Sequence, residues 1–113
     1  MVQVVDLEGS PSFRSLDVTL ISISTDSTAL LAQAVAEYGV ESPHLSDASG
    51  EIVRAYGADR WAMASGEPGH TFVLVGGDGR VRWIRDYGAP ENGGLMYVEV
   101  EELVAEVEAR VGR

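Results

Sequence analysis

Two apolar runs around a glycine-rich break dominate the hydrophobic pattern of this chain. His70-Thr-Phe-Val-Leu-Val75 is nearly continuous and rich in β-branched residues, while Val81-Arg-Trp-Ile-Arg-Asp-Tyr87 alternates in part. Between them Gly76-Gly-Asp-Gly79 tolerates positive φ at little cost, so the pattern predicts a β-hairpin. The first run, apolar on both faces, reads as a central strand covered by helices on each side. The second leaves Arg80, Arg82 and Arg85 to solvent and reads as nearer an edge.

From the N-terminus, Met1-Val-Gln-Val-Val5 is too short for its period to decide between the end of an amphipathic helix and a strand. Gly9-Ser-Pro-Ser12 breaks it, and Phe13-Arg-Ser-Leu16 reads as a helical turn. Asp17 to Ser24 then predicts a buried strand carrying Val18, Leu20, Ile21 and Ile23. Thr25-Asp-Ser27 offers N-cap oxygens to a helix running to about Tyr38, with Leu30, Leu31, Ala34, Val35 and Tyr38 on one face and Gly39 as C-cap. Pro43-His-Leu-Ser-Asp47 is a short extended piece. Asp47 to Ser49 open a helix that turns Ile52, Val53 and Tyr56 inward and ends at Gly57. Ala58 to Gly69 is an ordered surface loop, where function tends to sit. After the hairpin, Ala89 to Gly94 is a loop. A helix from about Val98 to Val111 closes the chain with a stripe of Val100, Leu103, Val104, Val107 and Val111; its early glutamates and its late Arg110 and Arg113 complement the helix dipole. The order is an α/β one: a mixed sheet with helices on both faces, in a single domain over residues 1–113.

Composition narrows the function. Eight Lys plus Arg against eighteen Asp plus Glu give a net charge of −10. No basic face can be assembled, which argues against nucleic acid and against an anionic membrane surface as partners. No apolar run is long enough to span a bilayer and no signal peptide is legible, so the expectation is a soluble chain, cytoplasmic by default. There is no cysteine among the 113 residues. That removes disulfides, thiolate ligands and thiol nucleophiles together.

Several blocks together resemble a known family. Leu20-Ile-Ser-Ile-Ser-Thr-Asp-Ser27, Tyr38-Gly39, His44-Leu-Ser-Asp47 with Gly50-Glu51, Ala55-Tyr-Gly57, Thr71-Phe-Val-Leu-Val75 and Gly77-Asp-Gly-Arg-Val81 are similar, in order and spacing, to the later part of the peroxiredoxin and redoxin family (alkyl hydroperoxide reductase and thiol-specific antioxidant). The similarity spans about residues 13 to 111 and implies a thioredoxin-like fold. It also implies a catalytic cysteine at the start of a helix of which Met1 to Val5 resembles the tail, so the chain is expected to be N-terminally truncated and to lack the nucleophile. Serine and threonine do not replace a thiolate without an adjacent base. A parent protein would be an antioxidant thiol peroxidase or a thiol-disulfide oxidoreductase recycled by a thiol reductant protein. The chain in hand would supply scaffold and part of the substrate-facing edge: Trp61, Pro68, Gly69, His70 and Thr71. The arginine that peroxiredoxins usually carry two residues before Thr71 is replaced by Gly69, and its role passes to no residue here. No cofactor is expected.

The resemblance implies one more thing. The family's first strand lies between the strand ending at Ser24 and the strand starting at Thr71. Without it, backbone groups in mid-sheet lose their partners, at roughly 1–3 kcal/mol for each one buried. Three outcomes are open: the flanking strands pair directly, Met1 to Val5 becomes a strand that fills the gap, or a second copy supplies the pairing, which predicts a homo-oligomer through exposed strand edges. A non-catalytic module that binds a protein by strand addition is the alternative function. Simpler roles compete at the remaining candidates. His44 and His70 with Asp47 or Glu67 read as structural rather than metal-ligating, Asp26 and Ser27 as helix caps, Gly76 to Gly79 as a turn rather than a phosphate loop, and Trp83 as core.

Overall fold

The computed structural model describes residues 2–57 and 70–111. Helix α1, Val2–Glu8, settles the N-terminal ambiguity in favour of helix. Gly9 breaks it, and Ser10 caps a short second helix, α2 (Pro11–Arg14), by accepting from Phe13 N, with Pro11 in the first turn where its missing N–H costs nothing. Strand β1 (Ser22–Ser24) leads into α3 (Thr28–Tyr38) and then β2 (His44–Ser46), which pairs parallel to β1 with Ile23 opposite Leu45. Ser27 caps α3 by accepting from Leu30 N, and Gly39 ends it at φ +69°, a conformation that favours glycine.

Helix α4 (Glu51–Ala55) starts beneath the Asp47 carboxylate, which accepts from Ile52 N at 3.2 Å and Val53 N at 2.8 Å. Strands β3 (Thr71–Val75) and β4 (Val81–Asp86) form the expected antiparallel hairpin. Thr71 faces Asp86 and Leu74 faces Trp83; an irregularity after Leu74 brings Val75 opposite Val81. A 3₁₀ turn at Pro90–Asn92 precedes the last helix, α5 (Val100–Glu108).

The core gathers on one side of the hairpin. Leu7 of α1, Phe13 of α2, Leu16, Leu74 of β3, Tyr87, Val98, and Leu103 and Val107 of α5 form one buried cluster, with Phe72 and Trp83 packed against it. Trp83 is half-buried against this core, and the Arg110 guanidinium lies 5.4 Å from its ring centroid.

Several expectations need correction. The Asp17–Ser24 segment is a strand only at Ser22–Ser24, and Ile21 and Ile23 are exposed. On α3 only Leu31 is buried, while Leu30 and Tyr38 face solvent; on α4 only Val53 is buried, while Ile52 and Tyr56 are exposed. Strand β3 is not covered on both faces, since Val75 is exposed. Ser27 caps α3 as expected, but Asp26 is not a cap: its Oδ2 accepts from Ser24 Oγ and its carbonyl from Ser46 Oγ. Helix α5 is shorter than its pattern, and Val98 is buried ahead of it.

The exposed side chains of β1 and α3 share a cause. The described strands form two separate two-stranded sheets, β1–β2 and β3–β4, instead of one continuous mixed sheet. The two flanking strands do not pair with each other, and residues 2–8 are helix, so neither of the first two ways of closing the sheet occurs among the described residues. A strand with one partner presents its other edge unsupported, and the side chains of β1 and α3 that would lean on a wider sheet stay in solvent. No described helix is long and apolar enough to cross a membrane.

Candidate substrate edge

Of the five residues expected at the substrate edge, Trp61, Pro68 and Gly69 lie outside the described residues, as does Glu67. His70 and Thr71 stand at the entrance to β3. Strand alternation sends their side chains to opposite faces, so they do not converge on one point.

His70 is held by three contacts. Its carbonyl accepts from Tyr87 N at 2.8 Å, extending the hairpin ladder by one bond. Its ring meets Phe72 edge to face at 5.0 Å, and Phe72 meets Tyr87 in the same way. Its Nε2 lies 3.0 Å from Gln3 Oε1. Burial holds the imidazole below its ordinary pKa, aided by the chain's terminal ammonium and opposed by the Asp86 carboxylate. His70 is therefore neutral near neutral pH.

The partner, Gln3, is a buried polar residue that the sequence reading missed. It is buried on α1, where its Nε2 donates to Val98 O at 3.0 Å and its Oε1 accepts from Val98 N at 2.8 Å. The signal was present: one carboxamide interrupts the apolar run Val2-Gln-Val-Val5, and a polar side chain on a buried helix face needs partners. Sequence alone does not say which partners.

Thr71 Oγ1 on β3 and Asp86 Oδ2 on β4 belong to cross-strand partners, and both oxygens are buried without a hydrogen bond. His44 Nδ1 on β2 is buried and unpaired as well, and burial, with the terminal ammonium, lowers that imidazole's pKa against the pull of Asp26. Asp47, once a metal-ligand candidate beside His44, is committed to α4, and no group of three potential ligands occurs among the described residues. Two shallow depressions lie elsewhere, one between α2 and α5 at Ser10 and Val104, the other between Glu8, Asp17 and Ser42.

Two separate two-stranded sheets flanked by helices, with a polar edge where β3 begins, make a mixed α/β domain, and its likeness to a solved structure below makes the fold thioredoxin-like. Residues 6–84 match the AhpC/TSA family. The chain belongs to that family. Among solved structures it is similar to AhpC of Mycobacterium bovis, with a TM-score of 0.73 and 19% identity, over 96% of this chain and 59% of that one. At this identity the likeness speaks for the fold. The chain spans about three fifths of that protein's length. No curated protein matches it.

Proposed function

We propose that this chain supplies the scaffold and substrate edge of a redoxin-type thiol peroxidase or thiol-disulfide oxidoreductase, with the nucleophilic thiolate contributed by a segment outside it. The observation that carries this reading is the state of the two inner strand edges. Strand β1 is Ser-Ile-Ser and β3 is Thr-Phe-Val-Leu-Val; neither carries a charge, and each has a partner on one side only among the described residues. True sheet edges are usually blunted by charges or bulges. Strand β4 has such protection, with Arg82, Arg85 and a register irregularity beside them, and β1 and β3 have none. Bare apolar edges suit a sheet interior that receives one more extended strand. A cysteine-free chain then has a place in a thiol enzyme: it holds the sheet, and the added segment brings the sulfur.

The test is a peroxidase and disulfide-reductase assay on this chain beside a version extended by the coding sequence preceding Met1. Turnover by the extended form alone supports the reading. If both are inactive, family membership here concerns fold only.

The same edges favour a second reading, a non-catalytic module that captures an extended peptide, or a second copy of the chain, by strand addition. Sedimentation decides the self-pairing form: a monomer throughout the micromolar range removes it.

A further inference from the structure

The hydrogen bonds of Gln3 dictate the protonation of His70. Val98 presents one N–H and one C=O to the Gln3 carboxamide, and a single orientation satisfies both: Oε1 towards Val98 N and Nε2 towards Val98 O. The atom facing His70 is therefore an acceptor without a proton, and His70 Nε2, 3.0 Å away, must be the donor. A neutral imidazole with its proton on Nε2 has a lone pair on Nδ1. No described residue donates to that lone pair. Gln3 itself is only 7% exposed, so the device is set inside the protein and aimed at the start of β3.

We propose that His70 is a substrate-binding residue whose Nδ1 accepts the O–H of a hydroperoxide, and that Gln3 is the positioning residue that keeps this nitrogen unprotonated. The inference rests on the peroxidase reading for its choice of ligand. The hydroperoxide has the required donor; a dialkyl peroxide has none. The groups acting on His70 are Gln3 from α1, Asp86 from β4, Phe72 from its own strand and the terminal ammonium. None of these described groups donates a hydrogen bond to Nδ1.

Ring-nitrogen NMR of the ¹⁵N-labelled full chain tests this without turnover, because the chain has no thiol to reduce the probe. The free protein is expected to show His70 in the Nε2–H tautomer. Titration with tert-butyl hydroperoxide is expected to shift His70 Nδ1 saturably towards its hydrogen-bonded position, and di-tert-butyl peroxide to leave it in place. Gln3→Leu is expected to mix the tautomers and abolish the response; should that variant not fold, the wild-type tautomer and the two titrations decide alone. A proton on Nδ1, mixed tautomers in the wild type, no response, or an equal response to both peroxides overturns the proposal. If the extended chain turns over peroxide while His70 stays silent, the peroxidase reading stands and this assignment falls. A selective His70 response beside an inactive extended chain sinks the peroxidase reading and leaves the binding site.

Discussion

The Gln3 carboxamide lies against the backbone of Val98 as a neighbouring strand would, donating to its carbonyl at 3.0 Å and accepting from its N–H at 2.8 Å. This pair of bonds joins α1 to the segment before α5 across almost the whole sequence. It also explains why Val98 is buried although it precedes the helix it was expected to begin.

Gln3→Leu keeps the bulk and removes both bonds. Two buried backbone groups of Val98 lose their partners at about 1–3 kcal/mol each, so a loss of about 2–6 kcal/mol is expected. Urea denaturation measures it. A loss below about 0.5 kcal/mol, the usual range for a surface substitution, would mean that water reaches Val98 freely.

Glu8, at the end of α1, accepts from Glu41 N at 3.1 Å, from Ser42 N at 2.8 Å and from Ser42 Oγ, tying the helix to the segment between α3 and β2. Burial raises its pKa, but these bonds outweigh burial and leave it below the ordinary value of 4.5. A depressed folded pKa contributes stability above the unfolded value, and that contribution disappears as pH falls through the folded one. Glu8→Gln is therefore expected to lower stability at neutral pH and to flatten the acid side of the stability curve. Chemical denaturation at a series of pH values reads both changes, and an unaltered acid limb refutes the assignment.

Tyr97 donates to Asp6 Oδ2 at 2.6 Å. That bond, more than any other cause, pushes the Tyr97 pKa up to about 12. The raised value favours the neutral phenol, so its contribution is intact below the ordinary tyrosine value and is lost as pH rises through about 12. Ultraviolet titration of Asp6→Asn should show one tyrosine of the four ionising earlier than in the wild type. Superimposable titration curves would place Tyr97 away from Asp6.

Leu30 and Leu31 adjoin on α3, and the sequence pattern assigns both to the buried face. Leu31 is 5% exposed and Leu30 57%. Leu31→Ala should cost about 2–5 kcal/mol, as for a buried leucine. Leu30→Ala should fall within about 0.5 kcal/mol of wild type. Equal losses would show that Leu30 is covered in solution, as it would be by a partner or an added segment. The peroxidase assay on the extended chain then separates those two.

How legible the fold was depended on how local its cause is. The hairpin was readable because Gly76 to Gly79 can reverse the chain and the flanking runs carry strand-forming residues, both properties of a few neighbours. The caps at Ser27 and Gly39 were equally plain. Burial on α3 and α4 was not: Leu30, Tyr38, Ile52 and Tyr56 occupy apolar positions at helical spacing, yet a stripe is buried only where another layer meets it. At the candidate edge, His70 and Thr71 could be named from the resemblance to the family. Gln3 could not be joined to His70, because their separation of 67 residues is bridged only by folding.

By itself the amino-acid sequence determined the local elements, the acidic charge and, through the absence of cysteine, that no thiol chemistry resides in these residues, since each follows from composition or from neighbours within a few positions. Tertiary structure alone decided that the strands divide into two sheets, that Val98 is buried before its helix, and that a carboxamide on α1 comes within hydrogen-bond distance of His70. Those outcomes depend on which distant groups meet. A hydrogen bond or a buried side chain has two partners, and an unaligned sequence displays only one at a time.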